Sequence, residues 1–245
     1  MEEVIPAATL IVVRDMPGAA PDLLIVERAA GMAFAGGALV FPGGRIDAGD
    51  ITLAAGSSID SAKIAALRET LEETAIAVAL TPVPSPALAA SLQSALIGGA
   101  SFPDLIATHG LTLDLGALTH FARWKPAFKH ARRFDTCFFV ARAPSGEWLP
   151  RPQPGECEDA QWLSATEVLT RISRGEASAI FPTLRNLDRL AAMADFDAIR
   201  ADALAHPIET ITPWIEQRDG VAHIVIPDNL GYPVTSEPLS AASRG

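Results

Sequence analysis

Cysteine is scarce in this chain: Cys137 and Cys157 are the two thiols among 245 residues. A disulfide-stapled scaffold is excluded, and such usage fits a reducing compartment. Positive charge is also short. Nineteen lysines and arginines face 29 aspartates and glutamates, giving a formal net charge of −10. A chain so acidic lacks the spread basic surface that general nucleic-acid or anionic-membrane binding requires. Long hydrophobic runs are missing as well. The stretch from Ala7 to Val13 is far too short to span a bilayer, and Met1-Glu2-Glu3 is acidic where a signal peptide would be basic. The five histidines, His109, His120, His130, His206 and His223, show no zinc-like spacing. There is no internal repeat. These absences predict a soluble, cytoplasmic protein with neither nucleic-acid nor membrane partners.

What is present is apolar mass. Some 49% of residues are hydrophobic, enough to bury a sizeable core in one domain, expected over 1–235 with a flexible tail at 236–245. β-branched and aliphatic runs predict strands at Ala8–Val13, Leu23–Val26 and Ala38–Phe41, the first two as an antiparallel pair. A helical stripe of Ile64, Leu67, Leu71, Ala75 and Val78 predicts a helix from Ser61 to about Ala79, capped by Asp60 or Ser61. After a proline-rich break, helices at Ala87–Ile97 and Pro103–Thr108 read as a small insertion over about 81–119. Strands follow at Asp135–Val140 and Asp159–Trp162, then helices at Ala165–Ser173 and Leu184–Leu204. Val221–Ile226 reads as a late edge strand, and the polar sequence past Pro233 as frayed.

One stretch carries chemistry. Glu69, Glu72 and Glu73 project from about one quarter of the helix circumference, with Arg68 beside them and the apolar stripe opposite. Like charges so spaced cost a helix roughly 0.2–0.5 kcal/mol per pair. A cation or an arginine would offset that cost, and hard oxygen ligands suit magnesium or manganese. An isolated Glu-x-x-Glu-Glu is ordinarily a solvated helix face. Here, however, Phe41-Pro42-Gly43-Gly44 ends a strand with two residues whose bare backbone can approach a ligand or metal. A strand, a glycine loop and a carboxylate helix together point to a phosphate and metal site.

Gly44, five residues, Asp50, and then Arg68-Glu69-Thr70-Leu71-Glu72-Glu73-Thr74-Ala75-Ile76 resembles the Nudix box, Gly-x5-Glu-x7-Arg-Glu-U-x-Glu-Glu-x-Gly-U with U aliphatic. The Arg-Glu-x-x-Glu-Glu core is intact. Asp50 stands in place of the first glutamate, Ala75 in place of the glycine, and Thr70 at an aliphatic position. The spacer from Asp50 to Arg68 is 17 residues, an insertion of ten. An insertion and an aspartate in the first half resemble the branch containing the peroxisomal coenzyme A diphosphatase. Glu27-Arg28-Ala29 and Gly37 to Gly44 partly match that branch's upstream signature, whose second arginine would fall at Ala33. Arg132 to Phe139 and Gly155 to Leu163 are similar to it too.

The resemblance implies an α/β Nudix fold, a mixed sheet sandwiched between helices and carrying the helical insertion. It implies divalent-metal-dependent hydrolysis of a diphosphate in a nucleoside-diphosphate derivative, with coenzyme A or acyl-coenzyme A leading. NADH, dinucleotide polyphosphates and nucleotide sugars are the alternatives within the chemistry, and a non-catalytic ligand-binding module the alternative outside it. Carried over by position, Glu69, Arg68 and Glu73 are expected to be catalytic, with Arg68 holding Glu69. Glu69, Glu72, Glu73, the Gly43 carbonyl and Glu156 are expected to bind Mg2+ or Mn2+, with Glu158 second to Glu156 for the late-loop carboxylate. Arg28, Gly44, Arg132 and Arg133 are expected to meet substrate. Arg123, Lys125, Lys129, Arg132 and Arg133 form a basic cluster that suits phosphates, or a solvated loop. Asp50, one methylene shorter than glutamate, is read as outer-shell or structural. Cys137 reads as a buried thiol, and nothing selects one of Trp124, Trp148, Trp162 and Trp214 for stacking on a base. A homodimer is compatible with all of this.

Overall fold

The computed structural model describes residues 4–32, 35–126 and 133–242. Its centre is a mixed sheet. Strand β1 (Val4–Arg14) runs parallel to β8 (Arg133–Arg142), which pairs antiparallel with β7 (Thr119–Trp124). On its other edge β1 meets β2 (Asp22–Arg28) and β4 (Gly43–Arg45), both antiparallel. Strand β2 also pairs with β3 (Leu39–Val40) and β9 (Cys157–Ser164), and β10 (Thr210–Ile211) extends the sheet beyond β7.

Both faces of this sheet are covered, which explains the continuous apolar run in β1. Leu10 and Val12 pack beneath α1 (Ala48–Leu53), α2 (Ser58–Thr74), α3 (Pro86–Ile97) and α4 (Phe102–Thr108), whose core includes Ile64, Leu71, Leu92 and Phe102. Ile11 and Val13 face the other way, toward α5 (Ala165–Ser173), α6 (Phe181–Leu190) and α7 (Phe196–Ala205), through Val168, Leu187 and Ile199. The short pair β5 (Leu80–Thr81) and β6 (Thr112–Leu113) brackets the insertion helices. A second sheet, β11 (Trp214–Arg218), β12 (Val221–Val225) and β13 (Ser236–Pro238), is followed by α8 (Leu239–Ala242).

Several expectations need correction. The carboxylate helix is Ser58–Thr74, capped by Ser57, whose Oγ accepts from the Asp60 N–H at 3.3 Å. It ends four to five residues early because Ala75 turns left-handed, with φ +57°. The apolar periodicity past Thr74 continues in buried, non-helical backbone. The single helix expected from Leu184 to Leu204 is two, broken after Leu190, with the Asp195 carboxylate accepting from the Ala198 N–H to start α7. Strand β12 is central in its sheet, not an edge. The region past Pro233 is tied down: Ser236–Pro238 pairs with β12, and Glu237 meets the buried Arg185 guanidinium at 3.3 Å. Cys137 is half-buried, not fully so. No helix among the described residues is long and apolar enough to cross a membrane.

Candidate functional site

The site begins where the sheet forks. Near its C-terminal end β1 pairs with β2, through Val13–Leu23 and Arg14–Asp22; near its N-terminal end it pairs with β4, through Ala8–Gly44 and Thr9–Gly43. The segment from Leu39 to Arg45 therefore leaves β2 and joins β1, and the Leu10 N–H donates to the Pro42 carbonyl at the crossing, 3.0 Å. This crossing carries the two glycines. A Cβ on Gly43 would stand 2.4 Å from the Ala8 carbonyl oxygen, and one on Gly44 would stand 2.3 Å from Glu69 Oε1. Close approach, not unusual backbone angles, makes glycine necessary at 43, where the neighbour is backbone; at 44 a side chain would instead displace the flexible Glu69 carboxylate.

Helix α2 lies against this crossing. The Gly43 N–H donates to Glu73 Oε2 at 3.0 Å. Arg68 Nη1 donates to Glu69 Oε1 at 3.0 Å and to Glu72 Oε2 at 3.4 Å. Its other edge grips Asp50, with Nε–Oδ1 at 3.0 Å and Nη2–Oδ2 at 2.9 Å, and Nη2 also reaches the Arg45 carbonyl. Asp50 is 1% exposed and accepts from the Asp47 N–H as well, so the extra helix α1 returns a carboxylate to the arginine. Asp50 is thus an anchor within the protein, in line with its structural reading. Thr70, at an aliphatic position of the resembled motif, is fully buried but donates its hydroxyl to the Ala66 carbonyl at 2.7 Å.

Burial sets the electrostatics. Desolvation pushes the Glu69 carboxyl up to about 7 against the pull of Arg68, and neighbouring Glu72 raises it further. Desolvation also raises Glu72, and it holds Glu73, 3% exposed, well above the carboxylate range, reinforced by Glu69 and opposed by the Gly43 N–H and Arg28. Burial alone would lower Arg68, but its hydrogen bond to Asp50 and the charges of Glu69 and Asp50 keep it above its ordinary value. The cluster is rich in negative charge with one arginine shared among its acids.

A cleft of about 990 Å³ opens beside these groups. Arg28, Gly43, Gly44, Glu69, Glu73, Arg133 and Glu156 all line it, so the structure brings together residues distant in sequence. Glu72 stays beside Arg68, outside that lining. Glu158 lies apart, accepting from the Ala30 N–H at 3.2 Å. The basic cluster divides. Arg123, read as phosphate-binding or as part of a solvated loop, lies on β7 and forms a two-pronged pair with Asp135 at 2.8 and 2.9 Å, and Lys125 stands 3.8 Å from the same acid. Lys129 and Arg132, like His130, lie outside the described residues, and so does Ala33. Among the aromatic and aliphatic lining residues, Trp124, Phe181, Ile224 and Leu239 were not singled out by motif. Their only sequence signal is apolarity, which core residues share.

A divalent cation fits the donor set in chemistry: hard carboxylate oxygens, buried and short of positive partners. As placed, no three His, Cys, Asp or Glu side chains among the described residues stand in a ready metal-holding group. Glu69 and Glu72 are turned to Arg68, and Glu73 to the Gly43 N–H. Each of these bonds engages one carboxylate oxygen, and ligation would bring together the oxygens left over.

Comparison with known proteins agrees with this architecture. Residues 4–184 match the model of the NUDIX domain. A NUDIX hydrolase from Alicyclobacillus acidocaldarius is 32% identical, with a TM-score of 0.71, over 82% of this chain and 97% of that one. A MutT NUDIX hydrolase from Burkholderia pseudomallei is 18% identical, TM-score 0.40, over 68% and 87% of the two chains. The NUDIX domain of Shewanella oneidensis NrtR, in complex with ADP ribose, is 13% identical, TM-score 0.46, over 76% and 86%.

Proposed function

The chain belongs to the NUDIX family and is a pyrophosphohydrolase, and from that premise we propose that it cleaves the diphosphate linkage of a nucleoside-diphosphate derivative, with coenzyme A or acyl-coenzyme A as leading substrate. The observation that supports this best is the shared cleft: Glu69, Glu73 and Glu156 meet there with Arg28, Arg133 and the glycine crossing. Glu69, Glu72, Glu73 and Glu156, with the Gly43 carbonyl, would hold Mg2+ or Mn2+. Such an ion neutralises a diphosphate and lowers the pKa of an attacking water.

The chain's own groups supply the rest. Of the carboxylates lining the cleft, Glu69 would take the proton from the attacking water, and Glu73 is its alternative. Arg68 fixes the Glu69 rotamer, and Asp50 fixes Arg68, so the carboxylate is oriented before substrate arrives. Arg28 and Arg133 are the substrate's cationic partners, Arg132 being the third expected from sequence. Gly44 keeps the approach to Glu69 open.

The test is turnover of a panel of coenzyme A, acyl-coenzyme A, NADH, ADP-ribose, dinucleotide polyphosphates and nucleotide sugars with Mg2+ or Mn2+, products being weighed after reaction in oxygen-18 water. Cleavage of a diphosphate is expected, falling about 10³-fold in Glu73→Gln while the circular dichroism spectrum is kept. Absence of cleavage across the panel, or a Glu73→Gln enzyme as fast as wild type, overturns the reading. Inert coenzyme A beside another active diphosphate overturns only the substrate.

A further inference from the structure

The cleft has a second end that the carboxylates do not reach. Its floor is one face of the sheet: Thr9 lies beside Phe138, Ala7 beside Thr136, and Thr136 beside Trp124, so these side chains and Phe134 leave on the same side. Phe181 stands edge-on to Trp124 with ring centroids 6.0 Å apart. Ile224 of β12 and Leu239 of α8 complete the wall. Both lie beyond residue 184, where the NUDIX match ends.

We propose that this end is a subsite for an aliphatic substituent carried by the diphosphate, and that the C-terminal segment sets its specificity through Leu239. The proposal rests on the hydrolase reading above and deepens it. Three observations support it.

First, the indole N–H is already used. Trp124 Nε1 donates to Tyr232 Oη at 3.1 Å, and Tyr232 Oη donates to Asn186 Oδ1 at 2.8 Å, so the indole offers the cleft only its hydrocarbon surface. Second, charge is withheld. Arg185 carries the cation next to Phe181, but its Nη2 is paired with Asp188 at 3.0 Å and Glu237 at 3.3 Å, and the side chain does not line the cleft. Arg133 lines the cleft from the first residue of β8, while Thr136 and Thr183 contribute neutral hydroxyls. A second sugar or a free phosphate placed on Trp124, Phe181, Ile224 and Leu239 would lose water without recovering its hydrogen bonds. An aliphatic group loses nothing of that kind. Third, the wall is fixed. The Glu237–Arg185 pair ties β13 to α6, and the Ile226 N–H donates to the Thr235 carbonyl at 2.9 Å, holding the segment that carries Leu239 against its sheet. A rigid apolar wall in continuity with a charged centre sorts ligands by their apolar part.

The experiment uses the full chain and methyl, butyl and octyl esters of ADP, with binding by titration calorimetry and turnover measured separately. Wild-type affinity is expected to rise roughly fourfold per methylene until the cleft is filled. Leu239 is half-buried on a terminal helix, so its variants keep the core intact. Leu239→Ser should lower the octyl-to-methyl affinity ratio about tenfold, and Leu239→Trp should move the preferred chain to a shorter length. Equal affinity for all three esters in wild type, or an unchanged ratio in both variants, overturns the proposal. Chain-length-dependent binding without turnover sinks the hydrolase reading and upholds the subsite; turnover with no chain-length dependence does the reverse.

Discussion

At one end of the cleft, Glu69, Glu72 and Glu73 come from one turn of a single helix and meet two adjacent glycines. At the other, Trp124, Phe181, Ile224 and Leu239 come from four separate elements, β7, α6, β12 and α8. The first end is charged, buried at a cost, and held by hydrogen bonds between named atoms. The second is neutral and held by packing. The difference separates two ways of making a site: local geometry places charge, whereas tertiary assembly places apolar surface. Each way predicts its own kind of failure.

The largest effect is expected at the charged end. Arg68 is the cation shared by Asp50, Glu69 and Glu72, and it is 8% exposed. Arg68→Met leaves Asp50 buried without its partner, and breaking a buried pair in this way costs about 3–5 kcal/mol. Denaturant unfolding would read that loss as a lower midpoint at constant slope. Pairing the change with Asp50→Leu should recover most of the stability, because an apolar pair of similar volume removes the stranded charge. Activity should stay lost in both, since Glu69 no longer has its positioning group. A loss below about 1 kcal/mol in Arg68→Met would show that the charged end is not held by this pair.

These contrasts also explain what could be read in advance. The Arg-Glu-x-x-Glu-Glu spacing is a helix-face statement, and helical geometry converts it directly into position, so the carboxylates were legible. Glycine at 43 and 44 was legible too, though its reason was not: the contact with Glu69 exists only once β4 has joined β1. Asp50 could be seen as a departure from the family pattern, but its return to Arg68 depends on α1, which begins before the lengthened spacer and runs into it. The apolar end was illegible. Trp124 was one of four equivalent tryptophans, and Leu239 sat in a segment whose small, polar composition reads as frayed. Apolarity says that a residue wants cover, not which cavity it covers. Arg123 is harder for a related reason: its charge is visible in the sequence, while its cross-strand partner Asp135 is set only by the pairing of β7 with β8.

A smaller effect distinguishes the two ends by pH. The Glu69 carboxyl is pushed up to about 7 by burial from its ordinary 4.5, so between those values the folded protein holds a proton that the unfolded chain has released. Stability must then fall as pH rises through that window, by on the order of 3 kcal/mol from this group. Glu72 and Glu73 act in the same direction. Unfolding at pH 5 and pH 7.5 in chelator would measure it, and Mn2+ should restore stability at pH 7.5 but not at pH 5, where the ligands stay protonated. The apolar end offers Tyr232, raised to about 12 by burial and therefore neutral throughout. Leu239→Ser should cost the same at both pH values. A chelated protein that gains stability with pH over this range would contradict the buried carboxylate cluster.

The smallest effect lies at the end of the carboxylate helix, and it tests whether the charged end tolerates change in its support. Ala75 closes α2 with φ +57° and ψ +17°, donating its N–H to the Leu71 carbonyl at 2.9 Å. Its Cβ makes that conformation unfavourable, by roughly 1–2 kcal/mol, where glycine adopts it freely. The same Cβ is buried, at 4% exposure, so a glycine gives up one packed methyl and gains freedom in the unfolded chain. These contributions nearly cancel, so Ala75→Gly is expected to change stability by less than about 1 kcal/mol, or less than about 2–4 °C in Tm for a chain of this size. Activity should be unchanged, because Glu73 keeps its hydrogen bond from Gly43 and the Gln153 N–H still donates to the Glu73 carbonyl. A fall in Tm beyond that would mean that packing of the Ala75 methyl outweighs the backbone strain, and the helix end would then belong with the apolar, assembly-dependent part of the molecule.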